Sequence, residues 1–521
     1  MTNAIILKNP LILTYLKDFA GGSRNAFFIY HPTTDEFKET SIEELINLDS
    51  LVITHDFWAI AASIYKTTTI VKTVFLDVRE FSRATRGYRP SENPIDTESI
   101  IDGLSTHEDD YHNLDKYQKI YYKKIDWCLE TYKSTSRIIF KKFHSNLTLA
   151  KQNNEISRYF DIELPVFNYI WSSICKGIKI DKTKLRIFKS QVEDDYFWEL
   201  KQWGCDFNLP FEVPKNQFLI EYLENKGFDL SEVSLDFILE YIPIENDFGR
   251  RTIELQKLDR SRRILSDISQ KYSRTYCIAD VFGTITSRII YKNPSLQNLA
   301  KRYRDIIIPD HGKSIWYIDF SQFETAIIAV TSQDSILLRM YKEDDLYKQA
   351  ALAIFGDEAR RKDAKRLFLS YAYGMRIQSL ADAAQNLGGV RTNASCFFRQ
   401  FSQFSEWKES IYKNLENNKK IGTSNGNFMI RNAASKLTPK EQRSAVSQVI
   451  QGTASLIFKT LLLKLRDDHD FQLLLPMHDA VLFQYPEGRD VSHIKECFER
   501  TFSEFFENQI EIKATVSNRF Q

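Results

Sequence analysis

Ser314-Ile-Trp-Tyr-Ile-Asp319-Phe-Ser-Gln-Phe-Glu324-Thr-Ala-Ile-Ile-Ala329 has the pattern of a strand that ends at an acid and continues into a helix. Its four bulky residues, 315–318, form a continuous apolar run, which is typical of a strand covered on both faces. Asp319 follows at once, and Ser321 with Glu324 has the spacing of a capping box, which predicts a helix start. Such an aspartate is rigidly supported, which suits a metal ligand. A lone aspartate more often caps a turn, so the hypothesis requires a second acid.

The composition limits the classes of function. The chain has 521 residues and a net charge of +1, so any nucleic-acid site must gather its positive charge locally in a cleft. Its six cysteines form no C-x-x-C pair, which predicts a reducing compartment and no zinc site. The N-terminus has no cationic region followed by a long apolar run, so we expect no signal peptide. No apolar stretch reaches the length that spans a bilayer, so we expect no membrane association.

A second acid follows late in the chain. Phe471-Gln-Leu-Leu-Leu-Pro-Met-His478-Asp479-Ala480-Val-Leu-Phe-Gln-Tyr485 reads as two strands joined by a tight turn that holds His478 and Asp479. The dipeptide alone is a weak signal. Together with Asp319 it supplies two carboxylates on strands, the minimum for a site that holds two magnesium ions.

A helix between the two acids has a patterned face. Arg361, Lys365, Leu369 and Tyr373 recur at four-residue steps, which drift by about 40° each and therefore form one stripe. Two cations followed by an apolar and an aromatic residue suit a nucleoside triphosphate, because the cations pair with phosphates. A basic surface helix is the commoner cause of such a pattern.

The segments around Asp319, Arg361 to Gly374, and His478-Asp479 resemble, in this order, motifs A, B and C of the family A DNA polymerases, the bacterial polymerase I type. The resemblance extends strongly from Glu163 to about Tyr485 and weakly over the first 150 residues. Further matching segments are 286–298, 345–356 and 443–454. The chain departs from the family pattern at Tyr347 for His, Leu369 for Phe or Tyr, Ser447 for Asn and Ala480 for Glu.

The resemblance implies a mixed α/β fold with right-hand architecture: a palm with an antiparallel sheet, helical fingers and thumb, and an N-terminal RNase H-like domain of the exonuclease type. The expected domains are an exonuclease-like domain over 1–150, thumb and connector over 151–270, palm over 271–340, fingers over 341–434, and the rest of the palm over 435–521.

The resemblance also implies roles for individual residues. Two Mg²⁺ ions would be held by Asp319, Asp479 and the carbonyl of Phe320, with Lys365 assisting catalysis. Glu324 would lie against the 2′ position of the sugar and exclude ribose. The expected nucleotide-binding residues are Gln322, Glu324, Tyr347, Arg361, Lys365, Leu369 and Tyr373. The expected DNA-binding residues are Arg288, Gln297, Asn298, Arg443, Ser447, Gln451 and His478.

Over the first 150 residues the resemblance predicts an exonuclease that has lost its activity. Tyr122 and Asp126 have the Tyr-x-x-x-Asp spacing of the third exonuclease motif and are expected on one helical face. The second motif offers Ile60 where an acid is required. The nearest candidate for the first motif is Asp18-Phe-Ala20, which has alanine in place of glutamate. One secure carboxylate cannot hold two metals, so we expect an inactive domain with Tyr122 and Asp126 as vestiges.

The interpretation is a template-directed DNA polymerase that uses deoxynucleoside triphosphates and primer-template DNA. The alternatives are a single-subunit RNA polymerase of the phage type, which shares the main motif residues, and a catalytically dead DNA-binding relative. We further expect a monomer, encoded by a phage or mobile element and acting in the cytoplasm, the host's if phage-encoded. A replicative helicase or another replisome protein is the expected partner.

Overall fold

The protein, analysed as a computed structural model, is a mixed α/β structure as predicted. Described are residues 9–17, 25–65, 71–88, 100–228, 230, 235–242, 244 and 247–520. Fifteen strands occur in this part of the chain. They are β1 Leu11–Leu16, β2 Ala26–His31, β3 Glu36–Thr40, β4 Leu51–Thr54, β5 Val74–Asp77, β6 Ile178–Lys179, β7 Arg274–Thr275, β8 Ile278–Asp280, β9 Ile290–Lys292, β10 Lys313–Phe320, β11 Lys420–Thr423, β12 Gly426–Ile430, β13 Gln472–Pro476, β14 Ala480–Pro486 and β15 Ala514–Ser517.

The helices fall into two groups along the chain. The first group precedes β10 and comprises α1 Ile42–Leu45, α2 Trp58–Tyr65, α3 Val78–Thr85, α4 Ile100–Leu104, α5 Tyr111–Tyr121, α6 Leu129–Gln152, α7 Ile156–Arg158, α8 Leu164–Ile174, α9 Lys182–Phe207, α10 Asn216–Asn225, α11 Leu235–Tyr241 and α12 Phe248–Asp267. The second group follows β10 and comprises α13 Phe323–Ser332, α14 Ser335–Glu343, α15 Leu346–Phe355, α16 Arg361–Ala372, α17 Ile377–Asn386, α18 Arg391–Arg399, α19 Ser402–Asn418, α20 Pro439–Leu465 and α21 Ser492–Phe505.

The N-terminal sheet has the strand order β3-β2-β1-β4-β5. β1 is antiparallel to β2 and parallel to β4, and β4 is parallel to β5. The central strands β1 and β4 are almost fully buried, as expected of strands covered on both faces. Their covering includes α6, from which the Tyr132 hydroxyl donates to the Tyr15 carbonyl at 3.2 Å.

The second sheet is antiparallel, with the order β13-β14-β10-β15, and matches the predicted palm. β10 pairs with β14 from Lys313 to Asp319 and with β15 from Tyr317 to Phe320. The expectation of a strand covered on both faces is only partly met, because residues 315–317 are half-buried and Ile318 is fully buried.

The helix after β10 starts differently from the prediction. The capping box of Ser321 and Glu324 is wrong: α13 begins at Phe323, and its N-cap is Gln322 in the left-handed region at φ 55° without a side-chain cap. The Glu324 carboxylate is instead bonded to Arg288 and Tyr373. These charged and hydroxyl donors replace the backbone N–H that a capping box would use.

Two long helices, α9 and α12, lie in the range that the sequence predicts as thumb and connector. α9 is capped by Asp181, which accepts from the N–H groups of Thr183 and Lys184, and ends at Asn208 in the left-handed conformation. The buried Trp203 indole donates to the Thr252 hydroxyl of α12 at 3.0 Å and locks the pair.

Among the described residues the longest helix is α20, and it is largely buried in the C-terminal part. Thr438 and Glu441 form a capping box at its start, and Pro439 occupies the first turn, where a missing N–H costs nothing. Contrary to the sequence expectation, α20 is long and apolar enough to cross a membrane, but 72% of its most apolar window is buried inside the protein. This burial is that of a core helix.

Candidate active site

The antiparallel sheet brings the two predicted acids together. Asp319, near the end of β10, lies in register with Ala480, the first residue of β14. The Phe320 N–H donates to the Asp479 carbonyl at 3.1 Å. The turn between β13 and β14 is therefore hydrogen-bonded to the end of β10, and the neighbouring carboxylates interact electrostatically.

The electrostatics of this pair favour a cation. Burial and the nearby Asp479 raise the pKa of Asp319 to about 7, although Lys365 and Lys301 act in the opposite direction. Burial and Glu324 likewise raise the pKa of Asp479. The Asp319 Oδ1 atom is buried and has no hydrogen-bond partner among the described residues. An unpaired oxygen beside a second carboxylate fits a hard cation, because Mg²⁺ takes oxygen ligands.

The predicted third ligand, the Phe320 carbonyl, lies at the same edge. Its register partner on β15 is Ala514, whose N–H donates to Glu499 at 2.9 Å. In the described part of the chain, no group of three or more His, Cys, Asp or Glu side chains is placed to hold a metal. Asp319 and Asp479 stay the two predicted side-chain ligands of the candidate centre.

The cations of α16 lie over an aromatic ring. Arg361 donates to the Asp345 carboxylate at 2.6 Å, and its guanidinium lies 5.2 Å from the ring centroid of Tyr347. The Lys365 ammonium lies 5.7 Å from the same centroid. Tyr347 is buried, and its hydroxyl is 2.6 Å from the Thr325 hydroxyl. The ring thus supports both cations, while direct contact of Tyr347 with a nucleotide stays a prediction.

Arg288, Glu324 and Tyr373 form a connected chain. The Arg288 guanidinium donates to Glu324 Oε1 at 2.6 Å, and the Tyr373 hydroxyl donates to Glu324 Oε2 at 2.7 Å. Burial and the Glu324 charge raise the pKa of Tyr373, so its hydroxyl stays protonated. Burial and Arg288 lower the pKa of His478 to about 4, so this imidazole is neutral near pH 7.

Gln322 and Leu369 are placed near this chain of contacts in sequence but differ in their surroundings. The Gln322 side-chain carbonyl accepts the N–H of Leu346 at 3.1 Å and so joins the start of α15 to β10. Leu369 is half-buried on the same four-residue stripe of α16 as Arg361 and Lys365. Their contacts with a nucleotide stay predictions.

Most of the predicted DNA-binding residues line one cleft of about 300 Å³. Arg288 lines one wall, and the first half of α20 lines the other. The residues from α20 are Lys440, Arg443, Ser444, Ser447 and Gln451. Arg288, Lys440 and Arg443 place three cations at this cleft, which suits phosphates. Lys440 was not anticipated from the sequence, although it lies only three residues before Arg443.

Gln297 has a different role from the predicted DNA contact. It is 8% exposed, and its amide group is used inside the protein. Its side-chain carbonyl accepts the Tyr291 N–H at 2.8 Å, and its NH₂ group donates to the carbonyls of Ile289 and Pro476. A side chain with these bonds has no donor left for a groove. The neighbouring Asn298 is exposed, and its DNA contact stays a prediction.

The helical placement of Tyr122 and Asp126 is wrong. α5 ends at Tyr121, α6 begins at Leu129, and both residues lie in the exposed connection. On the helix that contacts β1, the same spacing recurs as Tyr132 and Ser136, both buried. At this spacing the helix carries a serine and no carboxylate. The longer apolar periodicity of α6 is the sequence signal that could have placed Tyr132 and Ser136 on a helix.

A buried ion pair lies just beyond the end of β4 in the N-terminal sheet. Asp56, just after β4, pairs with Arg79, and both side chains are about nine-tenths buried. Ile60, at the second predicted motif, is fully buried on α2. Asp18 and Ala20, at the first, lie outside the described residues. The Arg79 guanidinium thus neutralises the Asp56 carboxylate.

A buried lysine in the predicted fingers was missed. Lys408 is 9% exposed on α19, and its ammonium lies 4.3 Å from the ring centroid of Tyr371 and 4.7 Å from that of Phe404. Burial lowers the pKa of Lys408 to about 8. It borders a cavity of about 700 Å³. The available signal was a lysine at an apolar position, since Phe404, Ile411 and Leu415 on the same face are buried.

Comparison with known proteins gives several relatives that are DNA polymerases. DNA polymerase I of Borreliella burgdorferi is 25% identical over 411 residues, 70% of this chain and 44% of that protein. The thermostable DNA polymerase I of Thermus aquaticus is 28% identical over 369 residues, covering 64% and 44% of the two chains. DNA polymerase theta of Caenorhabditis elegans is 25% identical over 368 residues, covering 65% and 22%. The chain spans about half the length, or less, of these relatives.

The fold comparison covers almost the whole chain. The POL domain of Pol1 from M. smegmatis, solved in complex with DNA primer-template and dNTP, superposes with a TM-score of 0.72 at 15% identity, over 99% of this chain and 95% of that one. The family model of DNA polymerase family A matches residues 244–520. This range includes Asp319, Asp479 and the cations of α16. Because that match covers more than half of the sequence, the chain belongs to DNA polymerase family A.

Proposed function

We propose that the chain is a template-directed DNA polymerase that adds deoxynucleotides to a primer 3′ end with two Mg²⁺ ions. The observation that carries the proposal is the juxtaposition of Asp319 and Asp479, with a buried unpaired oxygen on Asp319 and the charge of Lys365 acting on both carboxylates. The relatives named above are DNA polymerases, and the structural neighbour was solved with primer-template and dNTP, which supports the same substrates here.

Each group has a defined task in this reaction. When bound, the metal ions stabilise negative charge on the attacking and leaving oxygens. Asp319, Asp479 and the Phe320 carbonyl are the proposed ligands. Lys365 and Arg361 neutralise the triphosphate, and for this Arg361 must exchange its bond to Asp345 for a phosphate oxygen.

Sugar selection depends on Glu324. Arg288 and Tyr373 bind its two oxygens and hold the carboxylate in one orientation. A carboxylate held against the 2′ position of the sugar leaves no room for the 2′-hydroxyl of a ribose. Deoxynucleotides are therefore the proposed substrates, and this contact disfavours the RNA polymerase alternative.

Primer extension tests the proposal. Purified protein, a labelled primer on a longer template, and Mg²⁺ are incubated in parallel with deoxy- or ribonucleoside triphosphates. Template-dependent extension by deoxynucleotides alone is the expected result. Extension mainly with ribonucleotides would identify the RNA polymerase alternative. Tight binding of primer-template without extension by either set would identify a dead DNA-binding relative.

For the N-terminal domain we propose an exonuclease-like fold without exonuclease activity. The strand order β3-β2-β1-β4-β5, with β1 parallel to β4 and antiparallel to β2, supports the RNase H-like type. Ser136 in place of an acid, and the Asp56–Arg79 pair, support the loss of metal binding. Asp56, the described acid beside the second predicted motif, is neutralised by Arg79 and therefore does not fit as a ligand in a two-metal hydrolytic site.

A further inference from the structure

The residue before Arg288 is held unusually firmly. Ser287 is 4% exposed and adopts the left-handed backbone conformation at φ 64°. Its hydroxyl donates to Glu163 Oε1 at 2.8 Å and accepts from the Lys459 ammonium at 2.6 Å. Its carbonyl accepts from the Ser455 hydroxyl at 2.5 Å. A non-glycine residue in this conformation persists only where its surroundings determine it.

Lys459 bonds to both ends of the segment that leads to Arg288, at Val281 and at Ser287. Besides the Ser287 hydroxyl, its ammonium donates to the Val281 carbonyl at 2.9 Å and to Glu163 Oε2 at 2.6 Å. All three hydrogens of the ammonium are thus used, and Lys459 is 1% exposed. The segment from Val281 to Ser287 is therefore clamped at its two ends by one side chain of α20.

The charges of this cluster are balanced inside the core. Arg158 donates to Glu163 Oε1 at 2.5 Å and to Glu155 Oε2 at 2.6 Å. Two cations, Arg158 and Lys459, thus face two carboxylates, Glu155 and Glu163, and none of the four is more than 5% exposed. Buried charges are costly unless they are paired and hydrogen-bonded, and fully satisfied networks hold one geometry.

The clamp lies on the helix that lines the proposed DNA cleft. Ser455 and Lys459 continue the four-residue steps of Arg443, Ser447 and Gln451 along α20. The same rigid element therefore carries groups for the primer-template and groups that hold the backbone next to Arg288. From there the Arg288 side chain reaches Glu324.

We propose that Ser287, Ser455, Lys459 and Glu163 are positioning residues for Arg288 and, through its bond to Glu324, for discrimination between deoxyribose and ribose. The inference rests on the proposed polymerase function and deepens it. These residues do not touch substrate. They hold the loop so that the Arg288 guanidinium meets Glu324 Oε1 and leaves the carboxylate in one orientation.

Ser287→Ala is the most selective test variant. It removes one hydroxyl from the clamp, whereas a change at Lys459 or Glu163 would leave a buried charge unpaired and endanger folding. We expect an about tenfold fall in selectivity, the ratio of kcat/KM for a deoxynucleotide to that for the matching ribonucleotide, as for loss of one hydrogen bond to a charged group. The KM for primer-template is measured in parallel, because Arg288 also lines the proposed DNA cleft. Ser455→Ala should act in the same direction and more weakly.

A double-mutant cycle separates positioning from general loss of structure. Selectivity is measured for wild type, Ser287→Ala, Arg288→Ala and the double variant, with thermal unfolding recorded for each. If Ser287 acts through Arg288, Ser287→Ala causes no further loss once Arg288 is alanine. Ser173→Ala is the matched control, since this buried hydroxyl on α8 donates to the Tyr169 carbonyl of the same helix at 3.0 Å.

Each outcome is decisive. Unchanged selectivity in Ser287→Ala, or additive losses in the double variant, would overturn the inference even if wild type extends primers normally. A wild type that extends no primer would instead overturn the proposed function. A loss in the Ser173→Ala control equal to that of Ser287→Ala would show a nonspecific effect of deleting a buried hydroxyl and would also overturn the inference.

Discussion

Asp319 and Asp479 differ from the other acids of the cleft in having no internal cation bonded to them in the described structure. Asp345 and Glu324 each accept from an arginine at 2.6 Å, whereas Asp319 keeps a buried oxygen without a donor. A protein tolerates such an oxygen where a ligand completes it, since an unsatisfied buried acceptor is destabilising.

Replacing either aspartate should therefore abolish chemistry and spare binding. We expect Asp319→Asn and Asp479→Asn to lower primer extension by several orders of magnitude, because an amide cannot supply the second negative charge for two metals. Primer-template affinity, measured by fluorescence anisotropy, should remain near that of wild type, since phosphate contacts come mainly from Arg and Lys. Extension at the wild-type rate by either variant would contradict the assignment.

The α16 cations should act on the nucleotide and not on the duplex. We expect Lys365→Ala and Arg361→Ala to reduce kcat/KM for the nucleotide by about ten- to hundredfold, the effect of losing a charge-assisted phosphate bond. Single-nucleotide incorporation gives the kinetic constants, and anisotropy gives DNA affinity. Lys362→Ala, an exposed lysine at a neighbouring position of α16, is the control. Collapse of DNA affinity in the Lys365 variant would assign the helix to the duplex.

At the scale of elements, α19 contains a lysine on a face that otherwise packs into the core. Its ammonium is stabilised by the rings of Tyr371 and Phe404 and by the Tyr371 carbonyl at 3.3 Å, and no carboxylate of the described residues forms a salt bridge with it. Burial lowers the pKa of Lys408 from 10.5 to about 8. The charged form is therefore less favourable in the folded protein than in the unfolded chain.

This shift predicts a dependence of stability on pH. Between about pH 8 and 10.5 the unfolded chain binds one proton more at Lys408 than the folded protein does, so the contribution of this group to stability rises with pH. We expect Lys408→Met to be more stable than wild type at pH 7 by on the order of 2 kcal/mol, and the difference to shrink towards pH 10.

Urea unfolding of wild type and Lys408→Met at several pH values measures this difference. Lys413→Met, at an exposed position of the same helix, controls for the loss of a lysine as such and should show no comparable change with pH. A difference between wild type and Lys408→Met that does not vary with pH would contradict the predicted titration.

At the scale of the whole molecule, the N-terminal domain is joined to the polymerase part by buried contacts. Arg158 connects the Ala84 carbonyl of α3 to Glu163, and Arg83 donates to Asp280 of β8 at 2.9 Å. Asp280 is 7% exposed, so this ion pair is largely withdrawn from solvent. These contacts give the domain a structural role that does not require hydrolysis.

The purified chain should accordingly fail to proofread. A labelled primer with a mismatched 3′ end, incubated with Mg²⁺ and no nucleotides, should stay uncut, because the Asp56 carboxylate is paired with Arg79 and Ser136 supplies no charge. A separate 3′ exonuclease added to the same substrate is the positive control. Steady shortening of the primer that disappears in Asp56→Ala would contradict the prediction. Asp126→Ala is the matched variant of an exposed acid in the connection between α5 and α6.

Local sequence was sufficient for the elements that carry the proposed chemistry. The apolar run before Asp319, the four-residue stripe of α16 and the strand-turn-strand around Asp479 each depend on neighbours within a few positions, and periodicity reports such neighbours. The order of these segments along the chain then indicated the family, which the comparisons show.

Tertiary structure alone decided what each polar side chain contacts. The sequence placed Gln297 beside DNA, Asp126 on a helix and Glu324 in a capping box, and the fold gives these side chains other surroundings. The clamp of Ser287, Glu163 and Lys459 joins positions up to 296 residues apart. Whether a buried charge is paired depends on groups from distant segments, and local periodicity carries no information about them.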